Sequence, residues 1–194
     1  MVDSGNNNFL VTQAKANYTP YGVDFGDGKP TGRYTNGRTE ADFIAQMVSL
    51  PFPPPYLGLS DKENKTLRTR VNYGSGGCGI LSSGKNFLGT CLPFYKQIDF
   101  FQTTIDNLKK RFKSKKRFAH YLSKSLLFID IGNIDMSTDY DDVGSTIYRK
   151  YTVQQYAQIV AKEFSKSLER LYKLGARKFL VNNLGAMGCI PAQV

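Results

Sequence analysis

Short glycine- and asparagine-rich stretches contain the residues of this 194-residue chain that are best suited to chemistry. Gly76 and Gly77, within GSGGCG, lack a Cβ atom and leave room for an oxygen to reach backbone N–H groups. Such donors stabilise the oxyanion that forms when a carbonyl carbon is attacked. The same two glycines could equally serve only to shape a tight turn, and the sequence leaves both interpretations open.

Two other stretches carry polar side chains that loops commonly use. One is Gly132-Asn133-Ile134-Asp135, directly after an apolar run. The other begins at the second residue as VDSGNNN, and no apolar run precedes it. Residues of these types bend the backbone and tolerate left-handed conformations, so both stretches are predicted to be loops. The loop-forming residues of the first stretch are Asp3, Ser4, Gly5, Asn6, Asn7 and Asn8.

The cysteines and the single histidine do not form a metal site by pattern. There is no CxxC, and His120 is the only histidine, so zinc is not expected. Cys78 and Cys91 are close enough in sequence to pair across the glycine-rich loop. We expect Cys189 to be a buried, inert thiol. His120, on a predicted helix, is interpreted as a solvated or structural histidine.

Much of the formal charge of +10 lies between Lys109 and Arg117, where seven of nine residues are basic. The run could bind phosphate or an anionic membrane. It could also be a solvated helix face and loop anchored by Leu108, Phe112 and Phe118. We favour the solvated face, since no nucleic-acid-binding module accompanies the run, and expect no nucleic-acid partner.

Composition and termini give a mixed indication of location. Apolar residues make up 41% of the chain, which is ordinary for a globular protein, and no run is long enough to span a membrane. The first residues contain neither the basic patch nor the apolar core of a signal peptide. The glycosylation sequons at Asn17 and Asn64, both in polar, loop-like surroundings, favour secretion.

The hydrophobic pattern predicts helices that alternate with strands. Helices are expected over 40–50, 95–112 and 152–175, and strands over 66–74, 125–132 and 176–185. Thr39 and Thr152 are predicted N-caps, and Gly175 ends the last helix. The apolar residues expected to line the helix faces are Phe43, Ile44, Met47 and Val48 in the first helix and Ile98, Phe101, Ile105 and Leu108 in the second.

This alternation is typical of a doubly wound parallel sheet with helices on both faces. The two later strands are nearly continuous apolar runs, which predicts burial on both faces. In such sheets the site lies at the carboxyl ends of the strands. The loops of interest are therefore 74–79, 132–136 and 182–189.

Five ordered blocks resemble the plant GDSL esterase/lipase family. They are VDSGNNN, PTGRYTNGRTEADFIAQ, VNYGSGGCGIL, LLFIDIGNIDM and GARKFLVNNLGAMGCIPAQ, and together they cover essentially the whole chain. The resemblance implies a flavodoxin-like three-layer α/β/α fold with a parallel sheet. It also implies hydrolysis of a small-molecule carboxylic ester or lipid by a secreted enzyme, with Ser-His-Asp chemistry and no metal or other cofactor.

The chain departs from the family pattern at the catalytic positions. Met1 falls where the family has the leucine of Gly-Asp-Ser-Leu, and Ser4 lies five positions beyond the nucleophile. Ile134 replaces the asparagine of Gly-x-Asn-Asp and cannot donate a hydrogen bond. On a strand end, the adjacent Asn133 would point to the opposite side. The Asp-x-x-His block is absent.

We therefore expect residues 1–194 to be a single, truncated GDSL-type domain, incomplete at the first strand and at the C-terminal part. The expected function is ester hydrolysis, with this chain inactive as it stands. The alternatives are a non-catalytic lipid- or ester-binding protein and an anion-binding protein that uses the basic run.

Overall fold

The computed structural model describes residues 1–66, 70–86, 88–140, 146–186 and 189. Within these ranges five α-helices and four short strands form. Single 3₁₀ turns cover Asn6–Phe9 and Tyr56–Gly58, and a π-helical turn covers Asp135–Tyr140. The helices are α1 (Glu40–Met47), α2 (Asp61–Thr66), α3 (Phe94–Lys109), α4 (Lys115–Lys124) and α5 (Val153–Lys173); the strands are β1 (Lys85–Asn86), β2 (Gly89–Thr90), β3 (Leu126–Ile129) and β4 (Lys178–Val181).

The strands β3 and β4 pair in parallel, with Leu127 opposite Phe179 and Ile129 opposite Val181. The helix α5 lies between them in sequence, so the three elements form a β–α–β unit. Both strand predictions are confirmed in place. In the described part of the chain the parallel sheet has two strands, and β1 and β2 form a separate antiparallel hairpin. The three-layer arrangement stays a prediction.

The prediction that both strands are buried on both faces is wrong for the described structure. Leu127, Ile129 and Phe179 point into the main core, which is formed with α3 and α5. Leu180 and Val181 of β4 are more than 40% exposed. Successive strand side chains point to opposite faces, so the exposure of these two neighbours shows that neither face of β4 is fully covered by described residues.

Helix α3 has the predicted apolar face and ends three residues before the predicted residue 112, and α5 has the predicted ends. Ile98, Ile105 and Leu108 of α3 are buried, and Phe101 is partly buried. The Thr152 side chain accepts from the N–H of Gln155, and Gln155 returns a bond to the N–H of Thr152, which makes a capping box. After α5, Gly175 adopts φ +108°, a conformation that favours glycine.

Helix α1 has the predicted cap and the opposite orientation. Thr39 caps it through a capping box with Asp42, as expected. The predicted inward face is wrong, because Phe43, Met47 and Val48 are more than half exposed, whereas Asp42 and Ala45 are buried. The orientation follows from Asp42, whose carboxylate accepts two hydrogen bonds from the buried guanidinium of Arg33, at 2.7 and 2.9 Å.

The strand predicted over 66–74 does not form at 70–74, and residues 67–69 lie outside the described residues. Asn72 forms a single parallel bridge with Pro55. The side-chain oxygen of Asn72 accepts from the N–H of Gly74 two residues later, at 2.8 Å. A side chain that bonds to its own backbone in this way favours a turn over an extended ladder.

Candidate active site

The centre of the candidate site is the buried carboxylate of Asp3. It accepts hydrogen bonds from the N–H groups of Gly5 and Asn6, each at 2.7 Å, and from that of Asn7 at 3.4 Å. A fourth donor is the N–H of Gly76, at 3.2 Å. The first three bonds fold the loop at residues 3–8 around the carboxylate. The fourth ties this loop to the glycine-rich stretch far along the chain.

The amide of Asn6 crosses to the same region. Its Nδ2 group donates to the carbonyl oxygens of Asn72, at 2.9 Å, and Gly74, at 2.8 Å. Its Oδ1 accepts from the N–H of Leu57 at 3.0 Å. Because Asn6 is fully buried, its amide acts as a three-way crosslink between segments that are distant in sequence.

The amide of Asn7 makes a second crosslink beside the first. Its Nδ2 group donates to the carbonyl oxygens of Ala14 and Gly76, each at 2.8 Å, and to the hydroxyl of Tyr34 at 2.9 Å. Its Oδ1 accepts from the hydroxyl of Ser75. Gly76 is therefore held from both sides, by Asp3 through its N–H and by Asn7 through its carbonyl.

Glycine is required by packing at Gly76 and by both packing and backbone conformation at Gly5. A Cβ atom at Gly76 would lie 2.6 Å from the ring of Tyr34, and one at Gly5 would lie 2.6 Å from the carbonyl oxygen of Thr31. Gly5 also has φ +124°. The carbonyl of Thr31 accepts from Nδ2 of Asn8 at 3.0 Å, so the third asparagine holds the outer side of the loop.

Cys78 and Cys91, which are close enough in sequence to pair, form a disulfide. The bond ties the glycine-rich stretch to the segment that leads into α3. The prediction for Cys189 is wrong: this thiol is free and exposed. The residue type alone carries no signal for burial at Cys189, because burial depends on which elements pack over it.

The second carboxylate of the site is Asp135, which is completely buried. It accepts from the N–H groups of Ile80 and Leu81, each at 2.8 Å. A Cβ atom at Gly79 would meet the oxygens of this carboxylate, so only glycine fits there. The stretch after Gly77 is thus held by Asp135, as the stretch before it is held by Asp3.

The stretch at 132–135 begins a helical turn rather than continuing the strand. The strand β3 ends at Ile129, and residues 133 and 134 are already helical. The expectation that Asn133 points opposite to Ile134 as on a strand end is therefore wrong, because neighbours on a helix differ by about 100°. Both side chains are half-buried. Gly132, at φ +112°, packs against Leu184 of the loop after β4.

Burial dominates the electrostatics of both carboxylates. It raises the pKa of Asp3 above its usual value, while the four N–H donors act in the opposite direction. Burial also raises the pKa of Asp135, against the donors of Leu81 and Ile80. Tyr34, beside Asp3, has a raised pKa for the same reason, and the Asp3 charge adds to the shift.

Gly76 and Gly77 differ in the hydrogen bonding of their N–H groups. The N–H of Gly76 donates to the carboxylate of Asp3. The N–H of Gly77 makes no hydrogen bond with this carboxylate. Ser4 is 2% exposed and its hydroxyl is buried, so it is not presented to a substrate. His120 is exposed on α4 and contacts neither carboxylate.

Three features of the site were not visible in sequence. Asn72 and Tyr34 lie within two of the family-like blocks but were given no role there, and both bond to asparagines of the first loop. The sequence pointed to Asp135 because of its place in a motif, and gave no sign that its carboxylate accepts a hydrogen bond from the N–H of Ile80. Each contact joins residues that are far apart in sequence, and no local pattern encodes such a contact.

The remaining predicted sites lie on the surface. Asn17 is exposed in a loop, as expected, whereas Asn64 is half-buried within α2 and not in a loop. The charged residues of the basic run are exposed, and Leu108, Phe112 and Phe118 pack together beneath them, as the predicted anchoring requires. The choice between a solvated face and an anion-binding surface stays a prediction.

Comparison with known proteins places most of the chain, including Gly76 and Asp135, within one family match. The sequence profile of the GDSL-like lipase/acylhydrolase family matches residues 5–193. The chain belongs to this family. The match includes the Asn6–Asn7 crosslinks, the glycine-rich stretch and Asp135, so the resemblance seen in the sequence is confirmed.

Relatives in Arabidopsis thaliana align with nearly all of the chain. GDSL esterase/lipase At2g04020 is 44% identical over 192 residues, which cover 98% of this chain and 58% of the relative. GDSL esterase/lipase 7 is 42% identical over 197 residues, covering 100% of this chain and 53% of the relative. The chain therefore spans about half the length of these relatives. No solved structure matches it.

Two searches of the described residues complete the description. No helix among them has the length and apolar character needed to cross a bilayer. No cluster of three or more histidine, cysteine, aspartate or glutamate side chains lies within them that could hold a metal ion.

Proposed function

We propose that the protein hydrolyses ester bonds of small carboxylic esters or lipids, and that residues 1–194 form part of one hydrolase domain. The observation that carries the proposal is the joining of three family blocks by two buried carboxylates. Asp3 ties the first block to Gly76, and Asp135 ties the third block to Ile80 and Leu81. Family membership supports the ester-hydrolase class.

In the proposed reaction a serine attacks the ester carbonyl with a histidine as general base, and backbone N–H groups stabilise the oxyanion. We assign the glycine donor to Gly77, because the N–H of Gly76 is bound to Asp3. The carboxylates of Asp3 and Asp135, here called the two clamps, hold the backbone on both sides of Gly77. A donor fixed in advance in this way stabilises the transition state without reorganisation during the reaction.

We further propose that residues 1–194 alone do not perform this chemistry. The only histidine is His120, and it is exposed on α4 away from the two carboxylates. Ser4 is buried within the first loop. At the family's asparagine position, Ile134 supplies no donor. A non-catalytic protein that binds esters or lipids is the second candidate, and the apolar Ile134 is the observation that favours it.

Secretion is part of the proposal. The Cys78–Cys91 disulfide supports an oxidising compartment, because such bonds are rare in the cytosol. The exposed sequon at Asn17 supports the same location. Treatment of the natural protein with a glycosidase that removes N-linked glycans should shift its mobility on a gel, and an Asn17→Gln variant expressed through the secretory pathway should lose that shift.

The experiment that tests the function uses the protein isolated from its natural source and recombinant residues 1–194. Both are assayed with p-nitrophenyl esters of increasing acyl length and labelled with a fluorophosphonate probe. We expect the natural protein to hydrolyse the esters and residues 1–194 to remain unlabelled. If the natural protein binds the esters without hydrolysing them, the binding alternative is correct. Labelling of a serine within residues 1–194 alone would contradict the proposed inactivity.

A further inference from the structure

A basic groove runs between α4 and the segment that follows α5. Its cavity is about 540 Å³ in volume, and it lies far in sequence from Asp3 and Gly76. Its rim carries cationic side chains and its floor is apolar. The rim residues are Lys109, Lys115 and Arg177, and the floor is formed by Phe118, Leu122 and Leu174.

The rim continues into the basic run of residues 109–117. This run supplies seven of the ten excess positive charges of the chain and contains no acidic residue. Its charged side chains are exposed, and none forms an ion pair with a described carboxylate. Elsewhere in the described part of the chain six lysine or arginine side chains pair with carboxylates, as Lys166 does with Glu163 and Arg170 with Asp99. Positive charge is therefore segregated to one surface.

Fold stability does not explain this arrangement. Lys115, Lys116 and Arg117 form the first turn of α4, where the helix dipole is positive and acidic residues are favoured. The first turn of α4 contains no acidic residue, and the side chain of Ser114 makes no capping hydrogen bond. Three cations at this end are electrostatically unfavourable for the helix in isolation, so an external anion would relieve their repulsion.

The backbone beneath the charges is held in place by aromatic packing. The ring of Phe112 lies 5.3 Å from that of Phe118 and 5.2 Å from that of Tyr121. These contacts bring the loop between α3 and α4 against the core formed by Ile105, Leu108 and Leu122. The cations are therefore presented by an ordered surface and not by a tail.

We propose that this surface docks the protein on membranes that contain anionic phospholipid. The phosphate groups bind the cations of the run and rim, and the apolar floor accepts the glycerol and upper acyl region of one lipid. Clusters of four to eight basic residues on an amphipathic helix are typical of anionic-lipid recognition. Nucleic acid fits the surface less well, because single-strand binding uses exposed aromatic rings for stacking, and Phe112 and Phe118 point inward.

The test is sedimentation with vesicles of phosphatidylcholine alone or mixed with phosphatidylglycerol. We expect binding to the mixed vesicles only, weakened as salt is raised. Reversal of two charges, in a Lys115→Glu/Lys116→Glu variant, should lower the affinity for mixed vesicles by at least about tenfold. Glutamate in the first turn favours the helix, so loss of α4 would not explain the result.

A matched control changes the same charge elsewhere. Lys150 and Lys162 are exposed, and Lys162 lies twelve residues before Leu174 along α5, about 18 Å from the groove. A Lys150→Glu/Lys162→Glu variant should bind mixed vesicles within about twofold of the unchanged protein. Equal losses in the two variants would mean that net charge alone drives binding, and would overturn the proposal.

Two further arms identify the anion. Inorganic phosphate at matched ionic strength should not displace the protein from mixed vesicles, since it lacks the apolar part that the groove accepts. Retention on heparin without binding to mixed vesicles would assign the surface to a sulfated polysaccharide and contradict the proposal. Vesicle binding requires no ester hydrolysis, so its outcome is independent of the proposed function.

Discussion

The N–H of Gly76 donates a hydrogen bond to the carboxylate of Asp3 at 3.2 Å, across 73 residues of sequence. Asp135 makes the corresponding contact with Ile80 and Leu81 on the other side of Gly77. The stretch from Gly76 to Ile80 is thus fixed at both ends by buried carboxylates. The geometry of the proposed oxyanion donor depends on these two clamps.

Replacement of Asp3 tests the first clamp. Asp3→Ala leaves the buried N–H groups of Gly5 and Asn6 without an acceptor, and each unsatisfied donor costs about 1–3 kcal/mol. We expect the free energy of unfolding to fall by more than about 3 kcal/mol in a denaturant titration. The free energy of unfolding should fall by less in Asp3→Asn, because the side-chain oxygen of asparagine can still accept a hydrogen bond. Asp27→Asn, on an exposed residue paired with Lys29, is the control and should match the unchanged protein.

Replacement of Gly79 tests the second clamp. In Gly79→Ala the added Cβ would meet the carboxylate of Asp135, which has no exposed surface into which to move. Overpacking of this kind costs about 1–3 kcal/mol. The control is Gly185→Ala, where no atom lies within 4 Å of the added Cβ. If the two variants unfold at the same denaturant concentration, Asp135 does not constrain the loop at Gly79.

The disulfide is expected to stabilise the glycine-rich stretch. Cys78 and Cys91 are 13 residues apart, and a bond that closes a loop of this size stabilises by about 3 kcal/mol through the unfolded chain. The free energy of unfolding of a Cys78→Ser/Cys91→Ser variant, measured by thermal or chemical unfolding, should be lower by about this amount. Cys189→Ser is the control, because that thiol is free and exposed. A loss in the control equal to that in the double variant would contradict the assignment.

The Arg33–Asp42 pair predicts a specific acid dependence. Burial acts to raise the pKa of Asp42, but Arg33 and Thr39 outweigh it and hold this pKa below the usual value of 3.8. The pair therefore stabilises the fold above the unfolded-state pKa, and this contribution is lost as the pH falls through the folded-state pKa.

Asp42→Asn isolates that dependence. Breaking a buried pair costs about 3–5 kcal/mol near neutral pH, because Arg33 is left uncompensated. The difference in unfolding free energy between Asp42→Asn and the unchanged protein should shrink below about pH 4. Asp3 and Asp135, whose pKa values are raised, contribute in the opposite direction and are common to both proteins. A pH-independent difference would show that the charge of Asp42 is not the stabilising feature.

Strong local patterns predicted the elements that carry the site. The periodicity of Ile98, Ile105 and Leu108 and the cap at Thr152 gave α3 and α5 correctly, because both are properties of neighbouring residues. The parallel strands β3 and β4 followed from their apolar runs. The family blocks are also local, so the stretches around Gly76 and Asp135 could be found without a structure.

Long-range contacts decided the features that sequence missed. The helix α1 turns Asp42 inward because Arg33, outside the helix, binds it, and no periodicity within α1 reports that contact. Asn6 and Asn7 have the composition of turn residues, yet their amides crosslink Asn72, Tyr34 and Gly76. Burial of Leu180 depends on what covers the sheet and not on the apolar run itself.

The rate effect of Ile134 tests the central claim, that this chain supplies an ester-hydrolase site with one oxyanion donor replaced. A chimera is made in which residues 1–194 replace the matching segment of a family member with measured esterase activity. The kcat of this chimera is compared with that of the same chimera carrying Ile134→Asn. One oxyanion donor contributes about 10²–10³-fold to kcat, so Ile134→Asn should raise the rate of the chimera by that factor. Asn133→Ala in the same chimera is the adjacent control and should leave kcat within about twofold. An unchanged kcat in a folded Ile134→Asn chimera would contradict the assignment of this position.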